Sequence, residues 1–244
     1  MPVLLREKLI ILLLLGFGVP VAEAQVIGGR PPSIPVGSSE TAPGTDAALP
    51  QLFRVKRASF DAEPASPAAR HVADWVVISG DNRRQPFVII DKIDAKVFVF
   101  DAAGVLQRAA PALLGLAERD EDEPGVGDMP LSEIHPEIRT TPAGRFVAQM
   151  GRNLKGDEIL WVDYSAGLSL HRVVTGNKAE RRQERLDTPT PMDNRISFGC
   201  INVPVNFFDE VVKPAFAGRG GIVYILPETR SPAAVFGSYS LGGY

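Results

Sequence analysis

Cys200 is the only cysteine among 244 residues. It lies in the run Arg195-Ile196-Ser197-Phe198-Gly199-Cys200-Ile201-Asn202-Val203-Pro204. A thiol acts as a nucleophile when a base or cation holds the thiolate, a tight turn exposes it, and donors await the oxyanion. Gly199 lets the backbone approach a substrate closely. His171, in Leu168-Ser169-Leu170-His171, can face the cysteine from a neighbouring strand. A helix after Pro204 would add its positive dipole end if its start packs nearby. Each feature also has a plainer reading. A lone cysteine serves as a small buried hydrophobe or pairs with another chain. A lone histidine on a strand is often a satisfied surface or core residue.

These residues need elements to carry them, and from Pro86 onward the pattern is β. Phe87-Val88-Ile89-Ile90 and Lys96-Val97-Phe98-Val99-Phe100, joined by a turn over residues 91–95, predict a hairpin. A third strand is expected from Val105 to near Gly115. Pro142-Ala143-Gly144-Arg145 turns into a strand over residues 146–150, and residues 159–164 and 168–174 read as two more. The segment 177–191, with Arg181, Arg182 and Arg185, reads as a long loop or short helix. Residues 196–203 carry the cysteine. Phe207, Phe208, Val211 and Val212 fall on one helical face, starting after Pro204 and ending at Pro214. Residues 222–226 form a last strand. Trp75-Val76-Val77-Ile78 suggests an earlier strand within residues 72–79, and the acidic stretch 118–128 reads as a solvated loop.

The first residues speak to compartment. Arg6 and Lys8 precede an apolar run over residues 9–19, and Ala22-Glu23-Ala24 follows, the small-x-small pattern of a secretory cleavage site. A spanning anchor needs about 18 or more apolar residues, and this run is shorter and ends at Pro20. The chain is therefore expected to be exported and cut after Ala24, leaving no membrane span, and to work in the periplasm or cell envelope. An exported chain usually has paired cysteines or none, so a single one stands out. The expected organisation is a signal peptide over residues 1–24, a Pro-, Gly-, Ser- and Ala-rich linker over 25–50, a lead-in over 51–85, a domain over 86–228 and a loose tail over 229–244.

Other chemistries find little footing. The formal net charge is −3, with no basic footprint for nucleic acid. His71, His135 and His171 lack metal-ligand spacing, and Gly125-x-Gly127 is not a dinucleotide fingerprint. No cofactor is expected, and no glycosidase pair stands out among the carboxylates.

Ser197-x-Gly199-Cys200-Ile201-Asn202 resembles the signature of the L,D-transpeptidase catalytic domain, also called YkuD-like: a His, a gap, then Ser/Thr-His-Gly-Cys-hydrophobic-Arg/Asn. Thr141-Pro142-Ala143-Gly144-Arg145-Phe146 is similar to that family's Thr-Pro-x-Gly-x-Phe turn, and Leu168-Ser169-Leu170-His171 to its histidine-bearing strand. The likeness covers residues 86–228. Three features depart from the pattern: Phe198 stands where His is usual, Arg172 where Gly is common, and the gap from His171 to Ser197 is long. The resemblance implies a mainly β, sandwich-like fold of mixed sheets with a few short helices. It implies acyl transfer on peptidoglycan stem peptides, with Cys200 as nucleophile, His171 as base and acid, and N–H groups around Gly199 and Cys200 as oxyanion donors. Ser197 and Asn202 would hold the loop, Phe198 would wall the substrate site, and Arg195 would either meet a substrate carboxylate or serve as a surface charge. Hydrolysis through the same thioester, and a catalytically idle domain that binds wall peptides, are the alternatives.

Overall fold

The computed structural model describes residues 56–239. The expected signal peptide and linker lie outside the described residues. The elements run α1 (Pro67–Ser79), β1 (Phe87–Asp91), β2 (Lys96–Phe100), β3 (Leu106–Pro111), β4 (Leu114–Gly115), β5 (Gly144–Arg152), β6 (Glu158–Asp163), β7 (Leu168–Arg172), α2 (Arg182–Asp187), β8 (Arg195–Ser197), β9 (Ile201–Val203), α3 (Val205–Phe207), α4 (Lys213–Phe216), β10 (Gly221–Ile225) and α5 (Pro232–Phe236). The protein is mainly β, with a large mixed sheet and few short helices.

That sheet has the order β3-β2-β1-β10-β5-β6-β7-β9. The β1–β2 hairpin is antiparallel, with Phe87 opposite Phe100 and Ile90 opposite Val97. Asp91 closes the turn by accepting from the N–H groups of Ile93 and Asp94, the Asx geometry that suits its short side chain. Both hairpin strands are apolar on both faces because both faces are covered. Val88, Ile90, Val97 and Val99 enter one core, while Phe87, Ile89, Phe98 and Phe100 enter another.

Strand β5 joins the two halves. Its first residues pair with β10 and its last four, Gln149 to Arg152, pair with β6. Leu160, Leu170, Ile201 and Val203 of the far half thereby share a core with Val88 and Val99 of the near half. The run α3–α4 fills the same core with Phe207, Phe208, Val212 and Phe216.

Three expectations need correction. The segment 72–79 is helical. Ser66 caps α1 by accepting from the Ala69 N–H, Pro67 occupies the first turn, and Gly80 ends it at φ 70°, a left-handed cap that suits glycine. Ala69, Val72, Ala73 and Val76 line its buried face. Their burial outweighs the small helix penalty of β-branched residues, so the lead-in belongs to the folded body. The helix after Pro204 does not end at Pro214. It passes through a π turn at Phe208–Val212, where the Lys213 N–H reaches back to the Phe208 carbonyl, and continues to Phe216. Such a turn shifts the hydrogen-bond register beside a residue that has no N–H to give. The tail is also ordered in part: Ser231 caps α5, and Phe236 stacks on Trp75 at 6.4 Å.

Candidate active site

Strand β7 sets the histidine and β9 follows the cysteine. They pair in parallel, with Leu170 beside Ile201 and His171 beside Asn202. Side chains alternate along a strand, so Leu168 and Leu170 enter the core while Ser169 and His171 share the opposite face. Ser169 Oγ lies 3.5 Å from Cys200 Sγ. His171 acts on the charge of the same thiol, and its Nδ1 lies 2.7 Å from the Arg172 carbonyl oxygen. A carbonyl only accepts, so Nδ1 carries the proton and Nε2 is the nitrogen left for the sulfur. The group that orients the imidazole is thus a backbone carbonyl.

The turn before Cys200 is held from within. Ser197 Oγ donates to the Cys200 carbonyl at 2.7 Å and accepts from the Gly199 N–H at 3.1 Å. Asn202 Nδ2 donates to the same carbonyl at 3.1 Å. The Gly199 N–H is therefore engaged, and among the described residues the Cys200 N–H is the amide beside the sulfur with no acceptor. Gly199 has φ 133°, and a Cβ there would sit 2.6 Å from the Thr140 carbonyl oxygen. The position thus needs glycine for a close approach of two protein backbones. Thr141 Oγ1 donates to the Gly199 carbonyl at 2.6 Å and accepts from the Gly115 N–H at 2.8 Å. The Thr-Pro turn and the cysteine turn are thereby one unit.

Electrostatics favour an ion pair. Burial opposes a charge on Cys200, but the hydrogen bond and attraction from His171, with bonds from Ser169, outweigh it and hold the thiol below its ordinary value. Burial likewise opposes the imidazolium of His171. Its bond to Cys200, the sulfur's charge and the Arg172 carbonyl prevail over that burial and over the repulsion of Arg182, and raise it. A lowered thiol beside a raised imidazole favours thiolate with imidazolium. The helix start contributes less than its sequence position suggested. It lies beyond β9, roughly 10 Å along the strand from Cys200, and a helix dipole fades within about one turn.

No family model matches the chain, and neither does any curated protein. Among solved structures it is similar to several L,D-transpeptidase catalytic domains. An L,D-transpeptidase from Xylanimonas cellulosilytica is 16% identical over 58% of this chain and 60% of that one, with a TM-score of 0.33. The catalytic domain of the E. faecium L,D-transpeptidase is 15% identical over 59% of this chain and 98% of that one, at 0.32. The helical cell shape determining protein Pgp2 from Campylobacter jejuni is 14% identical over 64% of this chain and 55% of that one, at 0.38. The chain thus spans about 60% of the first of these and 55% of the last. Identities and scores this low leave the chemistry to be read from the site itself.

Beside the thiol is a cavity of about 120 Å³, lined by Cys200, Phe198, Met129, Leu131, Ile134 and Asp122 among others. Phe198 forms part of its wall, with the Arg139 guanidinium 4.0 Å from its ring centroid. Arg195 is placed elsewhere. It is ion-paired with Glu228 and bonded to the Lys92 carbonyl at 3.0 Å, so its charge is committed to a structural cluster.

Three residues that touch the site escaped sequence reasoning. Ser169 was legible in principle, because it alternates with Leu168 and Leu170 on the histidine's face. Arg182, from the arginine-rich insert, donates to Asn202 Oδ1 at 2.9 Å and so braces the amide that holds the Cys200 carbonyl. Asp122 comes from the acidic stretch expected to be solvated. Neither Arg182 nor Asp122 had a spacing signal, since tertiary folding alone brings their segments to the site. No group of three or more potential metal ligands occurs among the described residues.

Proposed function

We propose that this domain is a cysteine acyltransferase acting on peptidoglycan stem peptides, as the L,D-transpeptidases do. The Cys200 thiol, lining a mostly apolar cavity and paired with the His171 imidazole, carries this reading, and the motif order of the sequence supports it. Cys200 Sγ attacks the carbonyl carbon of the residue before a terminal D-alanine, and the oxyanion forms beside the Cys200 N–H. His171 gives the Nε2 proton to the departing amine, the C–N bond breaks, and D-alanine leaves a thioester behind. An incoming amine then loses a proton to Nε2 and attacks the thioester. A new C–N bond forms, the C–S bond breaks, and the thiolate–imidazolium pair returns.

The basic, apolar and small-x-small pattern at the N-terminus supports an exported protein that meets its substrate in the periplasm or cell envelope. No helix among the described residues is long and apolar enough to cross a membrane. Mass spectrometry of the protein with a tetrapeptide-stem muropeptide tests the reading. The expected result is a covalent stem adduct on Cys200 with release of D-alanine, and no adduct in Cys200→Ala. An unmodified wild-type protein in the presence of intact muropeptide overturns it.

A further inference from the structure

Asp122 is the one ionisable side chain besides Cys200 that lines the thiol cavity. It is half-buried, and among the described residues it makes no hydrogen bond and no ion pair. A carboxyl partly drawn out of water without a partner carries part of its desolvation cost unmet, which a cationic ligand would offset. The neighbouring carboxylates are all served. Asp163 accepts from Ser165 and from the Ala166 N–H, Glu121 pairs with Arg230, and Glu123 lies 3.8 Å from Arg119.

Position adds to this. A second, more open groove of about 480 Å³ adjoins the thiol cavity, and Asp122, Val126, Gly127 and Ala166 line both. Asp122 therefore stands where the two meet. The groove's other walls carry Asp120, Glu121, Glu123 and Asp163 against one cation, Arg230, so even with Arg230 paired to Glu121 the balance of charge is negative and favours a cation. On the acyl-transfer reading, an acyl group on Cys200 would occupy the thiol cavity and leave the adjoining groove as the open approach to the thioester.

We propose that Asp122 binds the ammonium group of the acyl acceptor and so makes the adjoining groove the acceptor side of the site. This rests on the acyl-transfer reading above and names its second substrate: a primary amine that arrives charged. One ammonium proton passes to the Asp122 carboxylate, and the freed amine attacks the thioester carbon. His171 Nε2 takes the second proton, the C–N bond forms, and the C–S bond breaks to release the Cys200 thiolate. Asp122 then returns its proton to solvent. Burial, with the charge of Asp163, pushes the Asp122 carboxyl up to about 6 against the pull of Arg119. That makes it a better proton acceptor than an ordinary carboxylate while leaving it anionic at neutral pH.

The test begins from a small neutral activated thioester that acylates Cys200, so it does not depend on recognition of stem peptides. The acyl-enzyme is divided between an alkylammonium acceptor and hydroxylamine, which is neutral near pH 7.5. In Asp122→Asn the ratio of alkylamide to hydroxamate is expected to fall about 10- to 100-fold, the range of a hydrogen bond to a charged group. Asp122→Glu restores most of it. In the wild type the same ratio falls as added salt screens the pair, an arm that needs no variant. Because a ratio is read, a partly unfolded variant does not mimic the effect. A ratio equal in Asp122→Asn and wild type, or one in the wild type indifferent to salt, overturns the proposal. Failure of stem peptides to acylate Cys200, with the activated thioester still resolved through Asp122, would instead count against the proposed donor.

Discussion

Two regions of the molecule take charge out of water, and they treat it differently. Beside the candidate site, Lys92 is fully buried and its Nζ lies 2.9 Å from Asp120 and 3.1 Å from Glu228. It also donates to the carbonyls of Arg119 and Thr141. Asp120 accepts from the N–H groups of Glu228, Thr229 and Arg230 and from the Thr229 hydroxyl, and Arg195 closes the set on Glu228. Burial works against the Asp120 charge, but these bonds overwhelm it and hold the carboxyl far below its ordinary range. At the thiol end, by contrast, among the described residues Asp122 has no partner, the Thr140 hydroxyl is buried without one, and the Cys200 N–H has no acceptor. A buried charge whose every bond is met is architecture. One left unmet in a cavity is open to a ligand. The two regions touch through Thr141, whose carbonyl receives Lys92 and whose hydroxyl reaches Gly199. The closed cluster thus anchors the turn that the open one uses.

The largest expected effect falls at the open end. His171→Ala is predicted to keep the fold and slow acylation by about 100- to 10,000-fold, the usual cost of losing a positioned base. The pH profile of alkylation by iodoacetamide gives the sign. In the wild type, Cys200 is held below its ordinary value, so its thiolate survives into a range where a free thiol, of pKa about 8.5, is protonated. Without His171, burial dominates and Ser169 alone opposes it. The reactive form then retreats to higher pH. Wild-type rates in the variant at every pH would leave His171 a structural residue.

The closed cluster should fail differently. Lys92→Met removes one cation and leaves Asp120 and Glu228 facing each other in the interior. Breaking one partner from a buried ion pair typically costs about 3–5 kcal/mol. The backbone bonds that Asp120 keeps place this variant toward the lower figure. Chemical denaturation reads it directly. If the midpoint stays where it was, the cluster is not holding the fold, and the contrast between the two regions collapses.

The same contrast explains what the sequence made legible. The hairpin strands, the turn after Thr141 and the cysteine run are local patterns of period, turn chemistry and motif, and each is visible within about ten residues. Residues 72–79 misled because their β-branched run hid a helix whose signal lay in Ser66, Pro67 and Gly80 at its ends. The acidic stretch misled for another reason. Composition marks it as solvated, yet Asp120 is buried because Lys92, 28 residues away, folds onto it. Arg182 and Asp122 likewise have meaning only through contacts that no spacing encodes. The residues least legible in advance are those whose charge is settled, or left unsettled, by distant parts of the chain.

Phe198 gives the smallest effect and the finest test of the open end. Its half-buried ring walls the thiol cavity on one side and meets the Arg139 guanidinium, whose Nε donates to the Ile134 carbonyl at 3.0 Å. A cation over an aromatic face is worth about 0.5–1 kcal/mol near the surface, so Phe198→Leu should cost roughly that, with part of the apolar contact kept. Phe198→His retains a flat ring of similar reach but adds polarity beside the sulfur. Arg139 opposes a second positive charge 4.0 Å away, so the new imidazole should stay neutral below its ordinary range. Near neutral pH the variant should melt cooperatively, with a change in stability of about 1 kcal/mol, and should differ mainly in its ranking of stem peptides by kcat/KM. As pH falls and the imidazole takes a proton against Arg139, stability and acylation should decline together, while Phe198→Leu shows no such extra decline. Loss of the cooperative melt at neutral pH would instead make Phe198 part of the core. The unmet groups at the thiol would then sit behind a structural wall rather than a substrate-facing one.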